Sequence, residues 1–221
     1  MRLFLSSFRM SDRFDRLLEM AGPGARCAVI SNAVDFIPPD ARRAYLERIF
    51  DPVAHFRGHG VEAHDLDLRD HFWNPAGLEA ALAGVDLVWA VGGNSFLLRR
   101  AMRQSGFDHI LARRLAENSL VYGGWSAGAV VAGSTLQGIE LMDEPEVITP
   151  GYDPDPVWEG LGLVDYVIVP HFASDHPEAE AAGRTAAHLA AQGVPYRTLR
   201  DGEAIVVDGD RIEAPDTWPE P

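Results

Sequence analysis

Short runs of β-branched and aliphatic residues alternate with helical patterns along most of this chain. No other feature restricts the fold as strongly. Strands are expected at 2–7, 26–31, 61–66, 86–91, 120–123, 164–170, 196–199 and 203–209. Helical periodicity falls at 11–21, 39–58, 76–83, 94–117, 126–133 and 177–192. Strand, helix and strand in succession close into right-handed crossovers. The expected fold class is therefore α/β, a mainly parallel sheet with helices on both faces. "RDG" between the last two strand runs is a turn signal and predicts a closing antiparallel hairpin. The stretch 138–162, with four prolines and several acids, fits neither pattern and is long for a connection, so it reads as a surface excursion or a functional loop. The proline-rich tail "APDTWPEP" is expected at the periphery.

The length, 221 residues, suits one α/β domain spanning 1–221 with a substantial core. No run approaches the roughly 18 apolar residues of a membrane span. "MRLFLSSFRMSDRF" turns polar too soon for a signal peptide and reads as a first strand. The one cysteine, Cys27, lies in a strand pattern. It excludes an internal disulfide or a cysteine-cluster metal site, and a reducing cytoplasm fits. Net charge is −14 without a basic stripe, which argues against nucleic acid as a partner. A monomer or homodimer without cofactor is expected.

In open α/β sheets, ligands bind beyond the carboxyl ends of the strands. Three segments fall there: "AVGGNSF" (90–96), "YGGWSAG" (122–128) and "IVPHF" (168–172). Residues 124–128 read Gly-x-Ser-x-Gly. In a nucleophile elbow such glycines let neighbouring backbone approach while the serine hydroxyl projects from the sheet. The competing reading makes Ser126 an ordinary helix N-cap. A serine hydroxyl needs a base. His171, directly after a strand, is the best candidate, with His176 as the weaker one. The base needs an orienting carboxylate. Asp143 lies between serine and histidine in sequence; Glu140, Glu144 and Asp175 are alternatives. Ala127 and Gly93 would supply oxyanion N–H donors. "GGN" at 92–94 also reads as a β-to-α turn with Asn94 capping the next helix. His55 and His59 stand one helical turn apart without an acidic third ligand, so no metal is expected.

"VGGNSFLLRRAM", "YGGWSAGAVVAG" and "VPHF", in this order and spacing, resemble the peptidase E family of aspartyl dipeptidases, which has cyanophycinases as distant relatives. The resemblance covers roughly 86–207. It implies a flavodoxin-like fold, like the class I glutamine amidotransferase domain with serine where amidotransferases carry cysteine. It implies Ser126 as nucleophile, His171 as base, Asp143 as acid with Glu140 as the alternative, and Gly93 and Ala127 as the oxyanion positions. The implied activity is hydrolysis of short peptides, Asp-X dipeptides among them, through an acyl-enzyme. An esterase or amidase of the same mechanism, or a binding module that has lost its site, are the other readings. Aspartyl-specific members carry arginine in a "GETR" segment after the histidine. Here the region reads "HPEAEAAGR", with Ala181 at that place and Arg184 beyond it. Asn94 and Arg184 are the substrate-binding candidates, and only a weak preference for aspartate is expected.

Overall fold

The computed structural model describes residues 1–48 and 50–215; the tail from Asp216 onward lies outside the described residues. Nine strands are assigned: β1 (Arg2–Ser6), β2 (Arg26–Ile30), β3 (Glu62–Asp65), β4 (Leu87–Ala90), β5 (Val121–Trp125), β6 (Val167–Val169), β7 (Tyr196–Thr198), β8 (Ala204–Asp208) and β9 (Arg211–Glu213). Seven form one sheet in the order β3-β2-β4-β5-β1-β8-β9. The first five run parallel, β8 is antiparallel to β1, and β9 is antiparallel to β8. Among the described residues the α-helices are α1 (Phe14–Ala21), α2 (Pro39–Arg48), α3 (Pro52–Gly58), α4 (Pro75–Ala81), α5 (Ser95–Ser105), α6 (Phe107–Ala116), α7 (Ala127–Val130) and α8 (Ala179–Gln192). No helix among the described residues is long and apolar enough to cross a membrane.

Successive side chains of a strand point to opposite faces, so each central strand feeds two cores. Leu3 and Leu5 of β1, Val88 of β4 and Tyr122 of β5 join Leu97, Met102 and Phe107 of α5 and α6. Phe4, Leu87, Trp89 and Val121 point the other way, onto Leu17 of α1 and Val53 and Phe56 of α3. Both faces are covered, which is why these strands read as continuous apolar runs rather than alternating ones.

Three expectations needed correction. The helical run 39–58 is two helices. The first is assigned as far as Arg48, and Asp51 caps α3 through its side chain, which accepts from Ala54 N at 3.0 Å, with Pro52 opening the new helix. The run 94–117 is also two, because Gly106 turns left-handed at φ 78° and ends α5. The closing hairpin is not at "RDG". β7 instead pairs in parallel with β6 in a separate two-stranded sheet, and the hairpin is β8–β9. A turn signal marks where the chain bends, not which strand it returns to.

The 138–162 excursion is tied down. Arg100, fully buried on α5, donates to the carbonyls of Pro145 at 2.7 Å and Pro154 at 3.1 Å. Tyr152 OH donates to Asp35 at 2.5 Å.

Candidate active site

β5 lies between β4 and β1, and the elbow grows from its carboxyl end. Gly124 and Gly128 make the sharp strand-to-helix turn fit. A Cβ on Gly128 would stand 2.2 Å from Ala90 O, and one on Gly124 would stand 2.7 Å from the same oxygen. Between them Ser126 is held at φ 47° and ψ −116°, a backbone state that a non-glycine residue adopts at a cost of about 1–3 kcal/mol. Its N–H donates to Ser6 O at 3.1 Å and Ser7 O at 3.0 Å, anchoring the elbow to the end of β1. Ser126 does stand at the N-cap position of α7, but its hydroxyl makes no cap hydrogen bond. The capping interpretation therefore does not account for the side chain, which faces a cavity.

Ala127 follows Ser126 in the chain, and Gly93 lines the same cavity. Ala127 opens α7, where N–H groups have no intrahelical acceptor. Gly93, at φ 142°, lies at the end of β4, pressed so close to Ala33 O that a Cβ would meet it at 2.5 Å. Among the described residues neither N–H has a hydrogen-bond acceptor. Asn94 caps α5, its Oδ1 accepting from Leu97 N at 2.8 Å, and its Nδ2 donates to Glu144 O at 3.0 Å. Both ends of that side chain are engaged, one in capping α5 and the other in holding the loop.

His171 arrives from the smaller sheet. β6 and β7 are parallel, with Val169 opposite Thr198, so the segments that follow them emerge side by side. This places His171 next to Asp201. His171 Nδ1 lies 2.7 Å from Asp201 Oδ1. Ser7 Oγ ties the pair to β1, donating to the same Asp201 oxygen at 2.9 Å and accepting from His171 N at 2.8 Å. Asp201 N in turn donates to Ser174 Oγ at 2.8 Å. His171 is 1% exposed and sits at φ 61°. Both Ser126 and His171 thus occupy left-handed backbone, at the two places where strands give way to the site.

The acid expected from sequence is placed elsewhere. Asp143 accepts from Ser95 N at 2.8 Å, at the start of α5. Burial pushes its carboxyl up to about 6, opposed by the Ser95 hydrogen bond. Glu140 turns back to accept from Gly138 N at 2.6 Å. Neither meets the imidazole; Asp201 does. Arg184 is an exposed side chain paired with Glu180 at 2.7 Å, and it does not line the cavity. Arg99 is paired with Asp108 at 2.9 Å, and Arg100 is held by carbonyls, so neither replaces the arginine that Ala181 lacks.

Ser126, Gly92, Gly93 and His171 open into one cavity of about 720 Å³. Its walls near the serine include Trp125, Phe50 and Phe8, and further acidic groups come from Asp35, Asp65, Asp67 and Glu178. Arg42 and Arg43 are its basic lining residues, and Arg42 is paired with Asp35 at 2.7 Å.

The family model described as peptidase family S51 matches residues 9–214. The chain belongs to peptidase family S51. It is a peptidase. Peptidase E of Streptomyces coelicolor is 30% identical over 196 residues, covering 76% of this chain and 77% of that one. An uncharacterised peptidase of Pasteurella multocida is 25% identical over 210 residues, covering 95% and 94%. A probable alpha-aspartyl dipeptidase of Drosophila melanogaster is 28% identical over 138 residues, covering 60% and 54%. The fold matches the crystal structure of a candidate peptidase E from Listeria monocytogenes with a TM-score of 0.77, at 21% identity and 97% coverage of both chains. The expected α/β architecture of the class I glutamine amidotransferase type is the one this S51 peptidase adopts.

A second histidine flanks the site. The His171 and His176 rings stack with centroids 3.7 Å apart and planes 7° apart, and Phe8 packs edge-on against both. Glu178 Oε2 is 3.7 Å from His171 Nε2. By donor type, His171, His176 and Glu178 could hold a metal ion, with ligand atoms within 4.8 Å of one another. Parallel rings, however, aim their in-plane lone pairs side by side rather than at one point, which is poor geometry for tetrahedral coordination.

Proposed function

We propose that this S51 peptidase hydrolyses short peptides through Ser126, His171 and Asp201. Ser126 Oγ attacks the scissile carbonyl carbon, and His171 Nε2 takes its proton. The Asp201 carboxylate accepts from Nδ1–H, fixing the tautomer that leaves Nε2 free and stabilising the imidazolium. The N–H groups of Gly93 and Ala127 take the developing oxyanion. The tetrahedral intermediate collapses as His171 returns the proton to the leaving amine, and water then clears the acyl-enzyme. The observation that carries this reading is the strained Ser126 with an uncommitted hydroxyl, in one cavity with a histidine whose far nitrogen is bound by a carboxylate.

The side-chain preference follows from the same cavity. Trp125, Phe50 and Phe8 offer apolar surface, while the added acids disfavour a second carboxylate. Neutral or apolar N-terminal residues are expected to be preferred over aspartate. A panel of Leu-Leu, Ala-Leu and Asp-Leu, with matched esters, tests this at fixed pH and ionic strength. A hundredfold preference for Asp-Leu, about 2.7 kcal/mol of transition-state discrimination, would overturn it.

The pH dependence is set by His171. Burial holds its imidazole below the ordinary histidine value, with His176 adding to that, and the Asp201 hydrogen bond and charge oppose it. The base must be neutral, so kcat/KM is expected to rise with pH along a limb centred below 6.5. The sign for stability is the same. Below 6.5 the unfolded chain binds the proton that folded His171 resists, so this contribution is lost as pH falls through that window. A pH–rate profile with its acidic limb above 6.5 would contradict this placement of the base.

A further inference from the structure

The nitrogen that exchanges protons with the substrate has a second carboxylate beside it. Glu178 Oε2 lies 3.7 Å from His171 Nε2. Glu178 lines the Ser126 cavity, and its side chain is 45% exposed. Among the described residues no N–H or O–H group donates to that carboxylate. Glu178 stands at the N-cap of α8 but makes no side-chain cap bond, so the helix does not occupy it either. Its backbone is fixed. Glu178 N donates to His176 Nδ1 at 3.2 Å, and the His176 ring lies flat on that of His171 at 3.7 Å. The base, its stacked neighbour and the uncommitted carboxylate form one unit.

A separation of 3.7 Å is too long for a direct hydrogen bond and suits a single bridging water. At ordinary hydrogen-bond lengths of about 2.8 Å, the two acceptors subtend roughly 80° at such a water, within reach of its two O–H bonds. Its hydrogens then point at Nε2 and Oε2, and its lone pairs turn away from both. The two half-reactions need this differently. In acylation the scissile nitrogen beside Nε2 is held in place by the covalent chain of the substrate. In deacylation the water that replaces it has no tether, and a hydrogen bond to Nε2 alone leaves it free to rotate. A second acceptor removes that freedom before the barrier is reached.

We propose that Glu178 is a further catalytic residue, which together with His171 Nε2 holds and aims the water that hydrolyses the acyl-enzyme. This rests on the serine-hydrolase reading above. The water oxygen bonds to the acyl carbon as Nε2 takes one of its protons. Glu178 accepts a hydrogen bond from the other O–H and takes no proton. The tetrahedral adduct collapses by breaking the C–Oγ bond, His171 returns its proton to Ser126 Oγ, and the N-terminal product leaves as a carboxylic acid.

The test uses leucine p-nitrophenyl ester and leucine p-nitroanilide, which give the same acyl-enzyme on Ser126. With the ester's good leaving group, kcat reports deacylation while kcat/KM reports acylation. Glu178→Ala is expected to lower kcat for the ester by about 10- to 100-fold, with KM falling alongside, and to lower kcat/KM for either substrate by less than about threefold. The acyl-enzyme should then accumulate during ester turnover, seen as one added leucyl group in the intact mass of the variant. Glu178→Gln, which keeps an acceptor oxygen but not the charge, should fall between. Equal losses in kcat and kcat/KM would make Glu178 a group that binds substrate, such as its α-ammonium, and would overturn the proposal. So would a kcat that does not fall, or one that falls without accumulation of the acyl-enzyme. Failure of the underlying reading shows differently, as absence of fluorophosphonate labelling of Ser126 in the wild-type protein.

Discussion

Ser126→Ala is expected to lower kcat by a factor on the order of 10⁶ while leaving the fold intact, as loss of the nucleophile does in a serine peptidase whose triad acts as a unit. The structure explains why the stability cost is small. Among the described residues Ser126 Oγ makes no hydrogen bond, so alanine strands no buried partner. The φ of 47° is imposed from outside, by the anchoring of Ser126 N–H on Ser6 O and Ser7 O and by the close approach of Gly128 to Ala90. Alanine inherits that strain without adding to it. The checks are peptide turnover, fluorophosphonate labelling and the thermal midpoint of the purified variant. Near-normal turnover, with the substitution verified by mass, would rule out Ser126 as nucleophile.

The elbow was legible in the sequence because its requirements are local. Gly124, Ser126 and Gly128 follow an apolar run, and backbone crowding alone demands two small residues around the serine. The sheet was legible for a related reason: strands covered on both faces must be apolar throughout. Helix breaks were harder. Gly106 and Asp51-Pro52 lie within long helical runs, and periodicity carries on across both. The partner of His171 was not legible. Asp143 was attractive because it falls between serine and histidine in the chain, but chain order constrains nothing once strands are rearranged in space. "RDG" looked like a hairpin turn, which made Asp201 a turn residue. Only the parallel pairing of β6 with β7 brings it beside His171, and that pairing is non-local. Ser7, which links both to β1, was hidden for the same reason. Strain left no trace either: positive φ at Ser126 and His171 is a tertiary fact that no residue-type preference signals.

Removal of Asp201 should produce the second largest loss, and the geometry separates two variants that are usually treated alike. One oxygen, Asp201 Oδ1, faces both His171 Nδ1 at 2.7 Å and Ser7 Oγ at 2.9 Å. Asparagine can place its amide oxygen there and keep both contacts, turning its nitrogen to the other position. It then preserves the tautomer and loses only the charge that stabilises the imidazolium. Alanine leaves Nδ1–H without an acceptor and frees the ring to adopt the wrong tautomer, a defect worth about 10⁴ in rate in a serine-protease triad where asparagine itself forced it. Here the Ser7 hydroxyl, donating to the same Asp201 oxygen, disfavours an amide nitrogen at that place. Asp201→Ala is therefore expected to cost on the order of 10⁴ in kcat, and Asp201→Asn nearer 10², within the range of general acid–base effects. Asp143→Asn should cost less than about tenfold, because an asparagine oxygen can still accept from Ser95 N–H and hold the start of α5. The three variants, assayed on one dipeptide with KM and kcat separated, distinguish the two acids. A crippled Asp143→Asn beside a nearly active Asp201→Ala would return the triad to the 138–162 segment. It would also require the loop to move until Asp143 displaces Asp201 from the imidazole. The present hydrogen bonds oppose that exchange at both ends: Asp143 would have to leave Ser95 N–H, and Asp201 would have to leave Ser7 and the N–H it donates to Ser174.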